Sequence, residues 1–290
     1  MPRFCCFGSS QQTAYNTPTH MGNKKSSESR PKVNYGYSLV KGKANHPMED
    51  YHVAKFVQAK GEQLGLFAIF DGHLGEKVPA YLQKHLFSNI MKEEDFWTHP
   101  EQAIQRAYAK TDKAILDHSP ELGRGGSTAV TAILFMNRGK LWVANVGDSR
   151  AVLARATDVV QMTVDHDPSS EKGAIENTGG FVSNLPGDVP RVNGQLAVSR
   201  AFGDKSLKSH LRSDPDMKSA DTNADAELLI LASDGLWKVC ISLDCNLVGF
   251  LSVGNSKLLS CLSPFHHKML DITGSNLSLT NMYVYFLFRS

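Results

Sequence analysis

The sequence predicts an α+β protein with a mostly antiparallel sheet, and three observations carry that reading. Several strand-like runs are joined by connections of only a few residues, whereas a parallel crossover needs a dozen or more, so neighbouring strands must pair antiparallel. Helical periodicity is gathered in one block instead of alternating with strands. Two apolar runs, Leu66–Phe70 and Leu228–Ala232, lead into Asp71-Gly72 and Ser233-Asp234-Gly235, as buried strands do when they deliver a carboxylate to the boundary between core and solvent.

Taken in order, residues 1–32 are rich in Ser, Gln, Asn, Thr and Lys without periodicity and are expected to be disordered. Strand-like runs follow at Tyr35–Val40, Tyr51–Val57 and Leu66–Phe70. Within 76–91, Val78, Tyr81, Leu82, Leu86 and Ile90 recur at helical spacing, on a helix that should lie against a sheet. Thr98, Pro100 and Glu101 announce a second helix as cap, first-turn proline and capping-box glutamate. Ala103, Ile104, Ala107, Tyr108, Ile115 and Leu116 carry it to Asp117. Strand character returns at Ser127–Met136, Lys140–Val146 and Arg150–Arg155, the first two joined by the hairpin-compatible turn Asn137-Arg138-Gly139. Residues 168–178 read as a helix closed by Gly179-Gly180, residues 182–204 as an irregular segment beside a site, and Leu228–Ala232 as a return to the core. The expected organisation is therefore a lead at 1–32, a domain at 33–239 and an atypical tail at 240–290, which has few charges and no sustained pattern.

With 31 basic and 29 acidic residues, a net charge of +2 and no extended basic stripe, charge makes no case for a nucleic-acid partner. The five cysteines stand at 5, 6, 240, 245 and 261, so no disulfide framework threads the core, which favours a reducing compartment. The amino terminus lacks an apolar signal region, and no run reaches the roughly 18 to 20 apolar residues of a spanning helix. A soluble, intracellular monomer is expected, cytoplasmic with a nuclear location left open. Cys5 and Cys6 are palmitoylation candidates and Gly22 an internal myristoylation-like glycine, but a flexible tail without lipid or membrane contact is the favoured reading.

The chemistry-bearing residues are carboxylates. Asp71 and Asp234 close the two apolar runs, and Met48-Glu49-Asp50 adds an adjacent pair just upstream of the first. Oxygen donors of this kind, without accompanying Cys or His pairs, suit hard cations such as Mg²⁺ or Mn²⁺ rather than zinc. Neither a catalytic cysteine motif nor a P-loop offers a covalent or nucleotide-based alternative.

Met48-Glu49-Asp50, Phe70-Asp71-Gly72-His73, Gly126-Ser127-Thr128-Ala129 and Ala144-Asn145-Val146-Gly147-Asp148-Ser149-Arg150 occur in a telling order. They are followed by Asp165-His166-Asp167-Pro168, Arg191-Val192-Asn193-Gly194, Leu196 to Asp204, and Ser233-Asp234-Gly235-Leu236-Trp237. In this order the motifs resemble metal-dependent protein phosphatases of the PP2C family, most like the plant members, over Tyr35 to Val239. The resemblance implies an antiparallel β-sandwich flanked by helix pairs, in four αββα layers, with a two-metal centre at one end. It further implies hydrolysis of phosphoserine and phosphothreonine in protein substrates by a metal-bridging water, with no phospho-enzyme. By resemblance Asp71 would bridge two metals, the Gly72 carbonyl would bind one, Glu49 and Asp50 would bind directly or through water, Asp234 would hold the other, and Asp148 would belong to a weaker third site. His73 resembles the general acid that protonates the leaving oxygen. Thr128, Asn145, Ser149, Arg150, Asn193 and Arg200 are expected to fix loops around the site, and Trp142 and Trp237 to lie in the core.

Three departures from the family pattern stand out. The arginine often found shortly before Met-Glu-Asp is absent, leaving Lys43 or His46 to supply charge for the substrate phosphate without a bidentate fork. Lys238 stands where an aspartate is common and would disfavour a third metal. After Val239 nothing resembles the family's closing strands and their final metal-ligating aspartate, so the last elements of the sandwich are expected to be missing, with either weakened catalysis or a phosphoprotein-binding or decoy role as the consequence.

Overall fold

A computed structural model of the protein describes residues 33–40, 47–155, 158–222, 226–242 and 282–289. The chain opens with β1 (Val33–Val40), β2 (Tyr51–Ala59), β3 (Glu62–Phe70) and β4 (Gly72–His73), followed by α1 (Lys77–Lys92), α2 (Pro100–Asp117) and the single turn α3 (Ser119–Leu122). Next come β5 (Gly126–Ser127), β6 (Ala129–Phe135), β7 (Lys140–Val146), β8 (Arg150–Arg155), β9 (Val159–Gln161) and α4 (Lys172–Asn177). The remaining elements are β10 (Val182–Ser183), β11 (Arg191–Val192), β12 (Phe202–Gly203), β13 (Asp216–Asp221), β14 (Ala226–Ala232), α5 (Asp234–Ser242) and β15 (Met282–Arg289).

Two five-stranded antiparallel sheets make the frame, one in the order β13-β7-β6-β3-β2 and the other β1-β15-β14-β8-β9. The α+β reading and its antiparallel pairing hold. β3 is buried along nearly its whole length because both of its faces are covered. Leu64, Leu66, Ala68 and Phe70 pack with Val78, Leu82, Leu86 and Ile90 of α1 and with Ala103, Ile104, Ala107 and Tyr108 of α2. Phe67 and Ile69 point the other way, joining Val130, Ala132 and Val143 against Ala151, Leu153, Leu229 and Leu231 of the second sheet. Period-2 alternation thus assigns the apolar residues of β3 to one of two cores, and each fully buried Leu, Ile or Phe side chain there contributes about 1.5–3 kcal/mol of hydrophobic stabilisation. Among the described residues no helix is long and apolar enough to cross a membrane.

Three expectations need correction. Thr98 does not cap α2: its hydroxyl donates to the Asp95 carbonyl at 3.2 Å within the preceding turn, and His99 occupies the cap position without a side-chain cap bond. The helix expected over 168–178 is confined to Lys172–Asn177, because Asp167 claims the preceding backbone. The Asp167 carbonyl accepts from the amides of Ser170 and Glu171, and its side chain accepts from the Ser169 amide, so the residues before Lys172 form turns held by Asp167. The tail is also not wholly outside the sandwich, since β15 lies between β1 and β14, with Tyr285 opposite Tyr37 on one side and Leu231 on the other. Residues 1–32, with Cys5, Cys6 and Gly22, and the positions Lys43, His46, Asp244, Cys245, Cys261 and Asp271 lie outside the described residues.

The segment between β9 and β13 is tied down by one cation. The buried Arg200 guanidinium donates to Glu171 through Nε at 2.9 Å, to the Asp214 carbonyl through Nη1 at 2.9 Å, and to Asp216 at 2.9 Å. Burial raises the Glu171 and Asp216 carboxyls, but hydrogen bonds and charge, from Arg200 for Glu171 and from His166 and Arg200 for Asp216, outweigh it and hold both below their ordinary values. Stability from carboxyls depressed in this way is fully present above their unfolded values near pH ~4 and is lost as pH falls through the folded ones. Arg200→Met should therefore lower stability at neutral pH and flatten the pH dependence of stability below pH ~5, read as urea midpoints across a pH series; an unchanged acid limb would refute this account. For β15, Tyr285→Pro should lower Tm by on the order of 5 °C relative to Tyr285→Ala, since proline deletes a ladder donor from an interior strand. Equal melting of the two variants would mean that the strand carries no stability.

Candidate metal centre

Strand register explains why distant carboxylates meet. Phe70 of β3 stands opposite Tyr51 of β2, so Asp71 and Asp50, one residue beyond that rung on each strand, leave the same end of the first sheet. Ile69 opposite Val130, and Ala129 opposite Val146, bring Thr128 and Gly147 to that end as well. In the second sheet Ala232 faces Arg150, which places Asp234 and Asp148 two residues outside one rung. Because β7 belongs to one sheet and β8 to the other, the short connection carrying Asp148 joins both groups.

Oxygens of Asp71, Asp148 and Asp234 lie within 4.8 Å of one another. Asp50 is buried, and its charge acts on Asp71. Burial, then the charges of Asp50, Asp234 and Asp148, hold the Asp71 carboxyl well above the usual range. Asp148 is pushed up to about 7, first by burial and then by Asp234. Carboxylates gathered in this way are an excess of half-buried negative charge, and an all-oxygen donor set fits a hard divalent cation. Glu49 Oε1 accepts from the Gly75 amide at 2.7 Å, bracing the loop after β4. Gly72 sits where a Cβ would stand 2.4 Å from the Glu49 carbonyl, so only glycine lets those two backbone segments touch.

The residues expected to fix loops do so. Thr128 Oγ1 accepts from the Asp71 amide at 3.2 Å and pairs with the Ser149 hydroxyl at 2.8 Å, while the Thr128 amide donates to the Asp71 carbonyl at 2.9 Å. Asn145 donates to the Gly147 and Val164 carbonyls, and the Gly147 amide donates to Nδ1 of the buried His166 at 2.9 Å. Arg150 forks onto Asp165 and stacks 5.3 Å over the Trp237 ring, which is itself buried. Asn193 accepts from the Phe181 amide at 2.9 Å. Trp142 is partly buried against the helix-side core.

Lys238, whose charge near the site the sequence already marked, gains a defined partner here, and Asp204 gains a place that the sequence did not give it. Lys238, one turn into α5, forms a short ion pair with Asp234, and the charges of Asp234, Asp148 and Asp71 more than offset the effect of burial, keeping its ammonium protonated. Asp204, nearly inaccessible, receives Nε2 of His73 at 2.9 Å and 2.8 Å from its two oxygens. The charge at 238 could be read from its i+4 spacing to Asp234, whereas nothing local marks Asp204 as a partner of His73.

The protein phosphatase 2C family matches residues 38–245. "Probable protein phosphatase 2C 10" of Arabidopsis thaliana is 65% identical over 239 residues, covering 82% of this chain and 84% of that protein. "Probable protein phosphatase 2C 41" of Oryza sativa subsp. japonica is 64% identical over 240 residues with the same coverage. Among solved structures, a C. elegans sex determining protein superposes with a TM-score of 0.74 at 25% identity, covering 88% of this chain and 64% of its own. A serine-threonine phosphatase 2C from Toxoplasma gondii shares the fold, with a TM-score of 0.71 at 22% identity over 89% of this chain and 95% of its own. The ordered acidic motifs, the paired antiparallel sheets and these matches have one source: the chain belongs to the protein phosphatase 2C family, enzymes of metal-dependent protein dephosphorylation.

Proposed function

We propose that this chain hydrolyses phosphoserine and phosphothreonine in protein substrates, and the observation that carries the reading is the Asp71, Asp148 and Asp234 cluster at the common end of both sheets. Asp71, Asp234 and Asp50 would hold two Mg²⁺ or Mn²⁺ ions together with the Gly72 carbonyl, Glu49 acting through water and Asp148 at the margin. Divalent cations bound there would supply an acidified water and neutralise phosphate charge. The chain's own residues do the rest. Thr128 and Ser149 fix the backbone at Asp71, so its carboxylate is aimed before substrate arrives. The P–O bond to the serine or threonine oxygen breaks as water oxygen, having given one proton to solvent, forms its bond to phosphorus. The electron pair stays on the departing oxygen, which takes a proton from His73 to become the free hydroxyl. The products are inorganic phosphate and the dephosphorylated protein. The protein is read as a cytoplasmic monomer that acts without nucleic acid or a membrane.

A second reading, a weakly catalytic phosphoprotein-binding form, draws on Lys238, whose ammonium competes for the oxygens a metal would use. The two readings separate in one assay. Mn²⁺-dependent hydrolysis of a phosphothreonine peptide should fall more than ~100-fold in Asp71→Asn, beyond what losing a partner of a metal ligand usually costs. Equal rates in the two proteins would leave only the binding role.

The competition itself is measurable without turnover. Calorimetric titration of metal-free protein with Mn²⁺ should show roughly fivefold tighter binding in Lys238→Ala, about the effect of one unit charge a few ångströms away in water. Unchanged affinity would show that the ammonium does not compete.

A further inference from the structure

His73 and Asp204 are 131 residues apart and meet through a three-stranded sheet ordered β12-β5-β4. His73 of β4 stands opposite Gly126 of β5, and Gly203 of β12 stands opposite the same Gly126 from the other side. Outer strands of such a sheet are separated by two strand spacings, roughly 10 Å, so their side chains can meet only above a middle residue that has none. Gly126 is that residue: a Cβ there would stand 2.0 Å from Oδ2 of Asp204 and 2.5 Å from the Phe202 carbonyl.

The acid is held from behind as well. Its backbone has a φ of 50°, its amide donates to the Gly125 carbonyl at 3.0 Å, and the adjoining Gly203 amide donates to the buried Asp112 of α2 at 2.9 Å. Lys208 closes this bracket by donating to Asp112 and to the Ala201 carbonyl. A carboxylate accepts and does not donate, so facing both oxygens of Asp204 fixes the hydrogen of His73 on Nε2 and leaves Nδ1 as the nitrogen that exchanges the mobile proton.

We propose that Asp204 is the positioning residue for His73: it sets the ring's tautomer and orientation so that Nδ1 delivers the proton to the leaving oxygen. This rests on His73 acting as the general acid. The consequence is selectivity by leaving group. An alkoxide from phosphoserine or phosphothreonine needs that proton as the P–O bond breaks, whereas an acidic nitrophenol leaves without it. Asp204 would therefore matter for alkyl phosphate esters and far less for activated aryl esters.

The test compares kcat for a phosphothreonine peptide with kcat for p-nitrophenyl phosphate in wild type, Asp204→Asn, His73→Ala and the double variant, all with saturating Mn²⁺. Asparagine tolerates the positive φ and keeps the shape of the side chain. The ratio of peptide to aryl rates is expected to fall roughly 10- to 100-fold in Asp204→Asn, up to the lower end of what losing acid catalysis costs, and no further when the change is added to His73→Ala. If His73→Ala lowers both substrates equally, the general-acid reading itself fails. If His73→Ala shows the selectivity and Asp204→Asn does not, or if the two changes add in the double variant, Asp204 is not its positioning partner. Should Asp204→Asn unfold, ¹⁵N-histidine spectra of the wild-type protein decide instead: the neutral His73 ring must carry its hydrogen on Nε2, and a dominant Nδ1–H form overturns the proposal.

Discussion

The molecule is organised around a repulsion. Folding the two sheets brings Asp50, Asp71, Asp148 and Asp234 to one end of the sandwich, where burial and the neighbouring charges raise the Asp71 and Asp148 carboxyls above their ordinary range. No isolated part of the chain would choose this arrangement. It persists because register is set elsewhere, by the alternation that sends Phe67 and Ile69 of β3 into one core and Leu66, Ala68 and Phe70 into the other. Slipping β3 by one residue would exchange these faces, so the apolar layers hold the carboxylates where electrostatics alone would scatter them. The strain is available to any cation that relieves it.

The loops around the acids are held by short neutral groups rather than by opposing charges. Thr128, Ser149 and Asn145 satisfy backbone amides and carbonyls at the Asp71 and Gly147 turns, and His166 accepts from the Gly147 amide. Neutral bracing leaves the local field negative, which preserves attraction for a divalent ion. Two cations depart from this pattern: Arg150 is forked onto Asp165, and Lys238 is tethered beside Asp234. Lys238 partly neutralises the cluster in the absence of metal and offers a lone ammonium where divalent coordination needs several oxygens, so it tunes the site without replacing what the site is built to bind.

How much of this could be read from the sequence depended on distance along the chain. Asp71 and Asp234 announce themselves because an apolar run ending on an acid and a glycine is a local pattern. The helix faces of α1 and α2 were equally legible, since Val78, Leu82, Leu86 and Ile90 stand at the spacing that one buried stripe requires. The Thr98 cap failed because a hydroxyl three residues after Asp95 has a nearer carbonyl to satisfy, and local spacing cannot say which bond wins. Asp204 stayed hidden for a different reason. Its meeting with His73 depends on Gly126 being bare between two strands that come from opposite ends of the domain, a fact of pairing and not of pattern.

β15 shows where sequence resemblance and structural role part company. Its residues match none of the family's closing motifs, yet Met282–Arg289 pairs along both β1 and β14. A strand ladder is made by backbone groups, and its demands on side chains are loose: β-branched or aromatic character, no proline and few charges, which the run Met-Tyr-Val-Tyr-Phe-Leu-Phe-Arg meets. A segment can therefore fill the place between two strands through its backbone alone, whatever motif its side chains carry. Metal ligation is not tolerant in this way, because it needs an oxygen at one place, and that run contains no carboxylate. β15 can steady β14, and through it the rung that aims Asp234, but its own side chains add no acidic ligand to the centre.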